Sequence, residues 1–322
     1  MKLFAKRSTA IFGSLSAIVA VFCFSTNDVA IKFISKDYAL HLVVLIRSLV
    51  GLIVLFLFIV PLSGGVKVLY TNRLGLHLLR GFCVVFANIT FFLGLAALPL
   101  AEGVAIFFIS PLLITIFSVI FLKEIVGPRR WAAVTIGLIG VLVILRPGSA
   151  TFQAASLLPL SAAFGYATLH MLTRYIGKTE SAASMSFYIQ LTFLVVCLIS
   201  GLIIGDGKFS GWKDPSLEFL FRAWSWPGSD HYLILILIGT TSAFGGFFIS
   251  HAYRISEAAV VAPFEYIALP IAIFWGVIVF GELPDKTTFL GITLILGSGL
   301  YIIWRETLLK DAETPKTPRY RR

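Results

Sequence analysis

A carboxylate stands in the middle of an apolar run. Glu265 lies in EAAVVAPFEYIALPIAIFWGVIVF, residues 257–280. It is about eight residues from the start of that run, roughly 12 Å along a helix and near the middle of a hydrocarbon layer about 30 Å thick. A charge at that depth costs about 2.5–3.5 kcal/mol on insertion scales. Chains keep such groups where they face a bundle interior or a water-lined path, so Glu265 is the first candidate to meet a solute or an ion. Pro263 and Pro270 flank it and free backbone carbonyls that a cavity can use.

Other polar residues fall inside apolar runs. Arg47 is expected about 12 Å in from the outer end of its segment and Arg80 about 9 Å in from the inner end of its own. Snorkelling to the interface accounts for Arg80, whereas Arg47 is at the right level to pair with Glu265 or with an anionic group of a ligand. Tyr166 and His170 are spaced i,i+4 and share a helix face. Gln190 and Asn88 are mid-segment amides, explained equally by interhelical hydrogen bonds and by a ligand. Asn27 and Asp28, beside Ser25 and Thr26, read either as a helix-end charge or as a helix break lining a cavity. Tyr266 and Trp275 are aromatic candidates for a planar ligand, against the commoner role of packing. The candidate ligand set is therefore Glu265, Arg47, Asn27, Asp28, Asn88, Tyr166, His170, Gln190, Tyr266 and Trp275, with no catalytic residue, metal ligand or cofactor expected. No G-x-x-x-x-G-K-[ST] phosphate loop occurs, which argues against an ATP-driven pump. Cys23, Cys83 and Cys197 have no metal-site spacing.

These residues need elements to position them, and the composition says which kind. Of 322 residues, 58% are hydrophobic and 13% charged, the charged share being about half that of soluble domains. This is a polytopic membrane protein. Ten apolar segments can be read, at 10–35, 39–62, 74–98, 101–122, 129–147, 153–176, 181–204, 231–254, 257–280 and 286–305, each long enough to span. The connection 205–230 is rich in Gly, Pro, Ser and Trp and reads as an interfacial loop with aromatic anchors. With the N-terminus inside, 17 of the 26 Lys and Arg residues fall on the inner side and 7 on the outer, Arg47 and Arg80 lying within segments. Both termini are expected in the cytoplasm. The net charge of +10 is then orientation charge, not a nucleic-acid footprint. The tail from Arg305 is polar and expected to be disordered, its basic end near anionic lipid.

The halves echo one another. ALPLAE at 97–102 precedes the fourth segment and AYRISE at 252–257 the ninth; Glu124 corresponds to Glu282, Trp131 to Phe289, Thr135 to Thr293, Leu138 to Leu296 and Leu142 to Leu300, while Pro111 and Pro270 fall close in this register. Five segments per half is odd, so the halves would be inverted in the membrane, a transporter plan with a midplane site.

On these residues the chain resembles the drug/metabolite transporter superfamily, in particular its EamA-type ten-helix permeases. The resemblance rests on AEGVAIFFISPLLITIFSVIFLKEIVGPRRWAAVTIGLIGVLVI and SEAAVVAPFEYIALPIAIFWGVIVFGELPDKTTFLGITLILGSGLYII, on Lys32 in NDVAIKFI and on Arg47 in LIRSLVG. It implies an all-α membrane protein of ten transmembrane helices in two inverted five-helix repeats, 1–150 and 151–305, with a cytoplasmic basic tail at 306–322. It also implies a secondary transporter, not an enzyme, working by alternating access in the cell membrane, in bacteria the inner one. The expected cargo is a small organic metabolite such as an amino acid or an S-adenosylmethionine-like solute. Riboflavin or another planar vitamin is the alternative within the fold, and a membrane-embedded enzyme or a passive channel the alternative outside it. Expected partners are the solute and membrane lipid, with no nucleic acid. Coupling to a proton, the direction of transport, and monomer or homodimer all stay open.

Overall fold

The computed structural model describes residues 2–122, 127–149, 152–177, 179–256, 261 and 264–313, and among them the secondary structure is helical, with no strand. The helices are α1 (Lys2–Ile34), α2 (Leu40–Val54), α3 (Leu74–Ala97), α4 (Leu100–Phe107), α5 (Ser110–Leu122), α6 (Pro128–Leu145), α7 (Leu157–Ile176), α8 (Ala182–Ile204), α9 (Pro215–Phe221), α10 (Tyr232–Ile255), α11 (Ala268–Phe280) and α12 (Lys286–Glu313). Helix α2 runs on through a π-helical stretch, Leu55–Ile59, and a last turn, Val60–Leu62.

Seven of the described helical stretches are long and apolar enough to cross a membrane: Phe12–Ile34, Leu40–Leu62, Leu74–Ala97, Leu100–Phe121, Ala154–Ile176, Ala182–Ile204 and Ser229–Ile255. Two shorter apolar helices, Trp131–Leu145 and Ala268–Phe280, fall in the fifth and ninth predicted segments. The fifth is shortened by Arg129 and Arg130 at its start, and the ninth opens among residues outside the described set. The tenth segment lies in α12, which continues to Glu313. The described start of the polar tail is therefore helical, a correction to the expectation of a coil from Arg305: RETLLKDAE holds strong helix formers and no proline.

Two helices are interrupted at comparable places. Helices α4 and α5 are separated by Phe108 and Ile109, just before Pro111. Glu265 sits just before the turn at Tyr266–Ile267, ahead of Pro270 in the first turn of α11. Proline is tolerated in a first turn, where its missing N–H has no intrahelical partner, so the chain breaks just upstream of it.

The helices pack in pairs that mirror the order of the chain: α1 along α10, α3 along α7, α6 along α12, α2 against both α8 and α10, and α3 against α8. The α6–α12 contact is backbone-close. A Cβ at Gly140 would meet the carbonyl of Gly291 at 2.9 Å, and one at Gly291 the carbonyl of Gly140 at 2.7 Å. Small residues are what permit such an approach where no hydrophobic force drives helices together in lipid.

The connection 205–230 is more built than an interfacial loop alone. Asp214 caps α9 by accepting from the Leu217 N–H at 3.0 Å. Phe219 is fully buried, and the Ser216 hydroxyl donates to Leu93 O at 2.7 Å. Arg222 donates to Ser35 O at 2.9 Å, and the Trp224 indole N–H to His41. Trp212 and Trp226 are exposed, as aromatic anchors would be. The segment closes over the C-terminal ends of α1 and α3 and the N-terminal end of α2.

Candidate functional site

One cavity of about 160 Å³ lies between α1, α2, α3, α4, α7, α8, α10 and α11. Eight of the ten candidate residues line it: Glu265, Arg47, Asn27, Asp28, Asn88, Tyr166, His170 and Gln190. They come from elements far apart in the chain, which the pairings of α1 with α10 and α3 with α7 bring together.

Glu265 is buried. The hydroxyls of Tyr253 and Tyr166 both donate to its carboxylate. His170 is packed between the two tyrosine rings, 4.2 Å from Tyr166 and 4.4 Å from Tyr253, centroid to centroid. The aromatic row continues from Tyr166 to Phe107 at 5.0 Å and from Phe107 to Phe91 at 4.8 Å. Planar rings thus form one wall, with a carboxylate at its end. The expected i,i+4 face of Tyr166 and His170 is what joins the two features.

Arg47 is held differently from the expectation. Its Nη1 donates to Asn88 Oδ1 at 3.0 Å, and its guanidinium lies 4.4 Å from the Phe193 ring and 5.8 Å from Phe92. Asp28 lines the same cavity. No ion pair to Glu265 forms among the described residues, which corrects the expected Arg47–Glu265 bridge. A similar expected depth along the membrane normal does not fix which way a helix is turned. Asn27 donates to Ile238 O at 2.8 Å and so ties α1 to α10. Helix α1 passes unbroken through Ser25–Asp28, so Asp28 reaches the cavity from a continuous helix and not from a break. The Gln190 amide donates to Ser242 at 3.3 Å.

Tyr266 and Trp275 do not line the cavity. Tyr266 is buried against Phe108, with ring centroids 5.5 Å apart, and its ring fills the space beside Gly299. Trp275 lies in a shallow apolar groove with Val29, Phe33 and Ile234. Helix α11 is apolar on every side, so its sequence carries no signal for the face that turns inward. Pro263 lies outside the described residues, as do Glu124 and the start of the ninth segment.

Arg80 corrects another expectation. It is 1% exposed, its Nε donates to the Thr173 hydroxyl at 3.0 Å, and it lines the cavity instead of reaching the interface. Tyr253 was missed as well. A signal for Arg80 exists: Arg80, Val84, Ala87, Asn88 and Phe91 all line the cavity, and their spacing is that of one helical stripe.

The wall carries polar atoms without protein partners. These include Nε and Nη2 of Arg47, Nη1 of Arg80, both ring nitrogens of His170 and Oε1 of Gln190. Buried donors and acceptors are normally satisfied, so this set suits a polar guest. Among the described residues no group of three His, Cys, Asp or Glu side chains is placed to hold a metal.

The EamA-like transporter family profile matches residues 11–146 and again 153–304. Among curated relatives, a riboflavin transporter of Vibrio cholerae is 30% identical over 92% of this chain and 94% of its own length. An S-adenosylmethionine uptake transporter of Rickettsia prowazekii is 29% identical over 88% of this chain and 89% of its own. A riboflavin transporter of Brucella anthropi is 31% identical over 76% and 81%. A solved crystal structure superposes with a TM-score of 0.67 at 18% identity, covering 94% of this chain and 99% of that one; that likeness is one of fold.

Proposed function

The chain belongs to the EamA-like transporter family, and we propose that this membrane transporter of a small metabolite carries a planar ring joined to a cationic amino-acid end, of the S-adenosylmethionine kind. One observation carries the reading: a buried carboxylate, Glu265, held by two tyrosine hydroxyls at the end of an aromatic row. The row suits stacking of a heteroaromatic ring. A carboxylate beside π-faces suits an ammonium or sulfonium cation, which aromatic quadrupoles and a negative charge both attract.

Alternating access by two inverted five-helix repeats, 1–150 and 151–305, is part of the proposal. The two family matches support it. So do the pairings, because exchanging the halves carries α1 with α10 onto α7 with α3. The interruptions before α5 and α11 are likewise equivalent in that exchange, and such breaks beside a midplane site are a feature of transporters built this way.

A second reading, a neutral planar vitamin such as riboflavin, is favoured by the same aromatic row and by the relatives named for it. Proteoliposome uptake separates the two. Labelled S-adenosylmethionine should accumulate, and Glu265→Gln, which keeps shape and removes charge, should reduce uptake at least about tenfold, the size of one charged hydrogen bond. Uptake of riboflavin in place of S-adenosylmethionine, unaffected by Glu265→Gln, would establish the second reading.

A further inference from the structure

We infer that Arg80, with Thr173 and His170, is the subsite for the carboxylate of the cargo's amino-acid head; the inference rests on the functional reading above. Arg80 is a buried guanidinium with no ion pair among the described residues. Its Nε is fixed by the Thr173 hydroxyl at 3.0 Å, and its Nη1 has no partner. Arg47 likewise has no ion pair among the described residues and keeps Nε and Nη2 open, but its surroundings differ: its Nη1 is given to Asn88 and its guanidinium lies over the Phe193 ring, away from the Glu265 cluster. Arg80 instead has Thr173 and His170 of α7 beside it.

A lone buried cation is costly, and a ligand carboxylate removes that cost while taking two parallel hydrogen bonds from the fork. The Thr173 hydroxyl also donates to Leu169 O at 2.7 Å, so it is oriented to accept from Arg80 and holds the fork in place. His170 lies one turn before Thr173 on α7, within electrostatic reach of Arg80, and offers a ring nitrogen that no protein group uses. The same His170 is packed edge-on and tilted between the tyrosines that hold Glu265. An anion site and a cation site thus adjoin across one imidazole. That is the arrangement an α-amino acid needs, since its ammonium and carboxylate branch from one carbon. The ring of the cargo would then extend along the aromatic row toward Arg47, whose level on α3, marked by Asn88, is about 12 Å from that of Arg80.

The test compares S-adenosylmethionine with its decarboxylated analogue, measuring affinity by thermal shift of the purified full chain in detergent and uptake in proteoliposomes. Wild type should prefer the carboxylate-bearing compound by about 10–100-fold, the range for a charged hydrogen bond. Arg80→Gln should abolish that preference while the decarboxylated analogue still binds, which also reports an intact fold. Should Arg80→Gln fail to reach the membrane, Thr173→Val removes only the hydroxyl that orients the fork and should lower the preference. Equal affinity of wild type for the two compounds would overturn the subsite and leave the functional reading standing. So would a preference that survives Arg80→Gln or, in its place, Thr173→Val. Wild type binding neither compound would sink the functional reading, and the subsite with it.

Discussion

At the scale of single residues, the cavity separates two jobs that polar side chains do inside a membrane. Asn88 positions Arg47, and Asn27 ties helix to helix, each through a bond at or below 3.0 Å. Glu265, His170 and Arg80 face the cavity with capacity to spare, as do Nε and Nη2 of Arg47. This predicts how substitutions combine. Arg47→Ala and Asn88→Ala should be non-additive in membrane abundance, because the second removes a partner the first has already lost, whereas Arg47→Ala and Glu265→Ala should add to within about 0.5 kcal/mol. Stability of the three single and two double variants in detergent checks it; strong coupling of Arg47 to Glu265 would mean that the two meet in the folded protein. What the sequence allowed at this scale was depth. Glu265 and Arg47 could be placed along the membrane normal from 1.5 Å per residue, and both line the cavity. Azimuth was not available for Tyr266 and Trp275, because an all-apolar α11 has no polar face to orient it. For Arg80 it was available, in the stripe shared with Asn88, but was outweighed by the ease with which a long side chain near a helix end snorkels.

At the scale of elements, helix ends are set by side chains that could be read in advance, while their tertiary partners could not. Asp285 shows both. Its carboxylate caps α12 by accepting from the Thr288 N–H at 2.8 Å and also takes a hydrogen bond from Arg146 at 2.6 Å. Asp-x-x-Thr ahead of an apolar run is a capping signal; the reach of Arg146 from the end of α6 is a matter of packing. Arg146, first, and the bonds from Thr288 hold the Asp285 carboxyl at about 2, below its ordinary 3.8. The folded-state value is depressed, so the stabilisation is complete above 3.8 and is lost as the pH falls through about 2. Asp285→Ala should lower stability by about 1 kcal/mol at neutral pH, the usual worth of an N-cap. The gap to wild type should close as the pH is taken from 4 toward 2. Unfolding followed in detergent across that range tests it; a gap that persists at the acid end would show that the loss is one of packing and not of charge. Lys32 is the corresponding lesson without a local signal. Its Nζ meets Glu282 at 2.9 Å and Leu98 O at 2.6 Å, while Glu282 also accepts from the Leu100 N–H at 2.8 Å. One carboxylate thereby joins α1, the start of α4 and the turn after α11, a junction of three distant segments that no spacing announces.

At the scale of the whole molecule, orientation is a property of charge counted over all the loops. The apolar segments and their near-continuous short connections follow from composition, which is why the membrane class and the helical fold were legible. The pairing of α6 with α12 through Gly140 and Gly291 was not, because glycine in an apolar run has many uses. Orientation follows from the Lys and Arg asymmetry of 17 inner against 7 outer. The asymmetry holds across short loops, where the rule is strongest. The structure adds a reason to look at the outer side in particular. The connection that carries α9 contributes Lys208, Lys213 and Arg222 to the outer count. Arg222 is engaged with Ser35 O and Glu218 and Lys208 with Asp206 at 2.7 Å, so two of these three charges are tied to protein groups and are weaker topological signals than their number suggests. Both termini should therefore lie in the cytoplasm. A reporter active only there, fused after Arg322, should be active, and one active only in the periplasm should be silent at that point but active when inserted at Gly211. The reverse pattern would turn the molecule over. Two active cytoplasmic fusions, at Gly211 and at Arg322, would instead put an even number of crossings between these points and remove one helix from the count of ten.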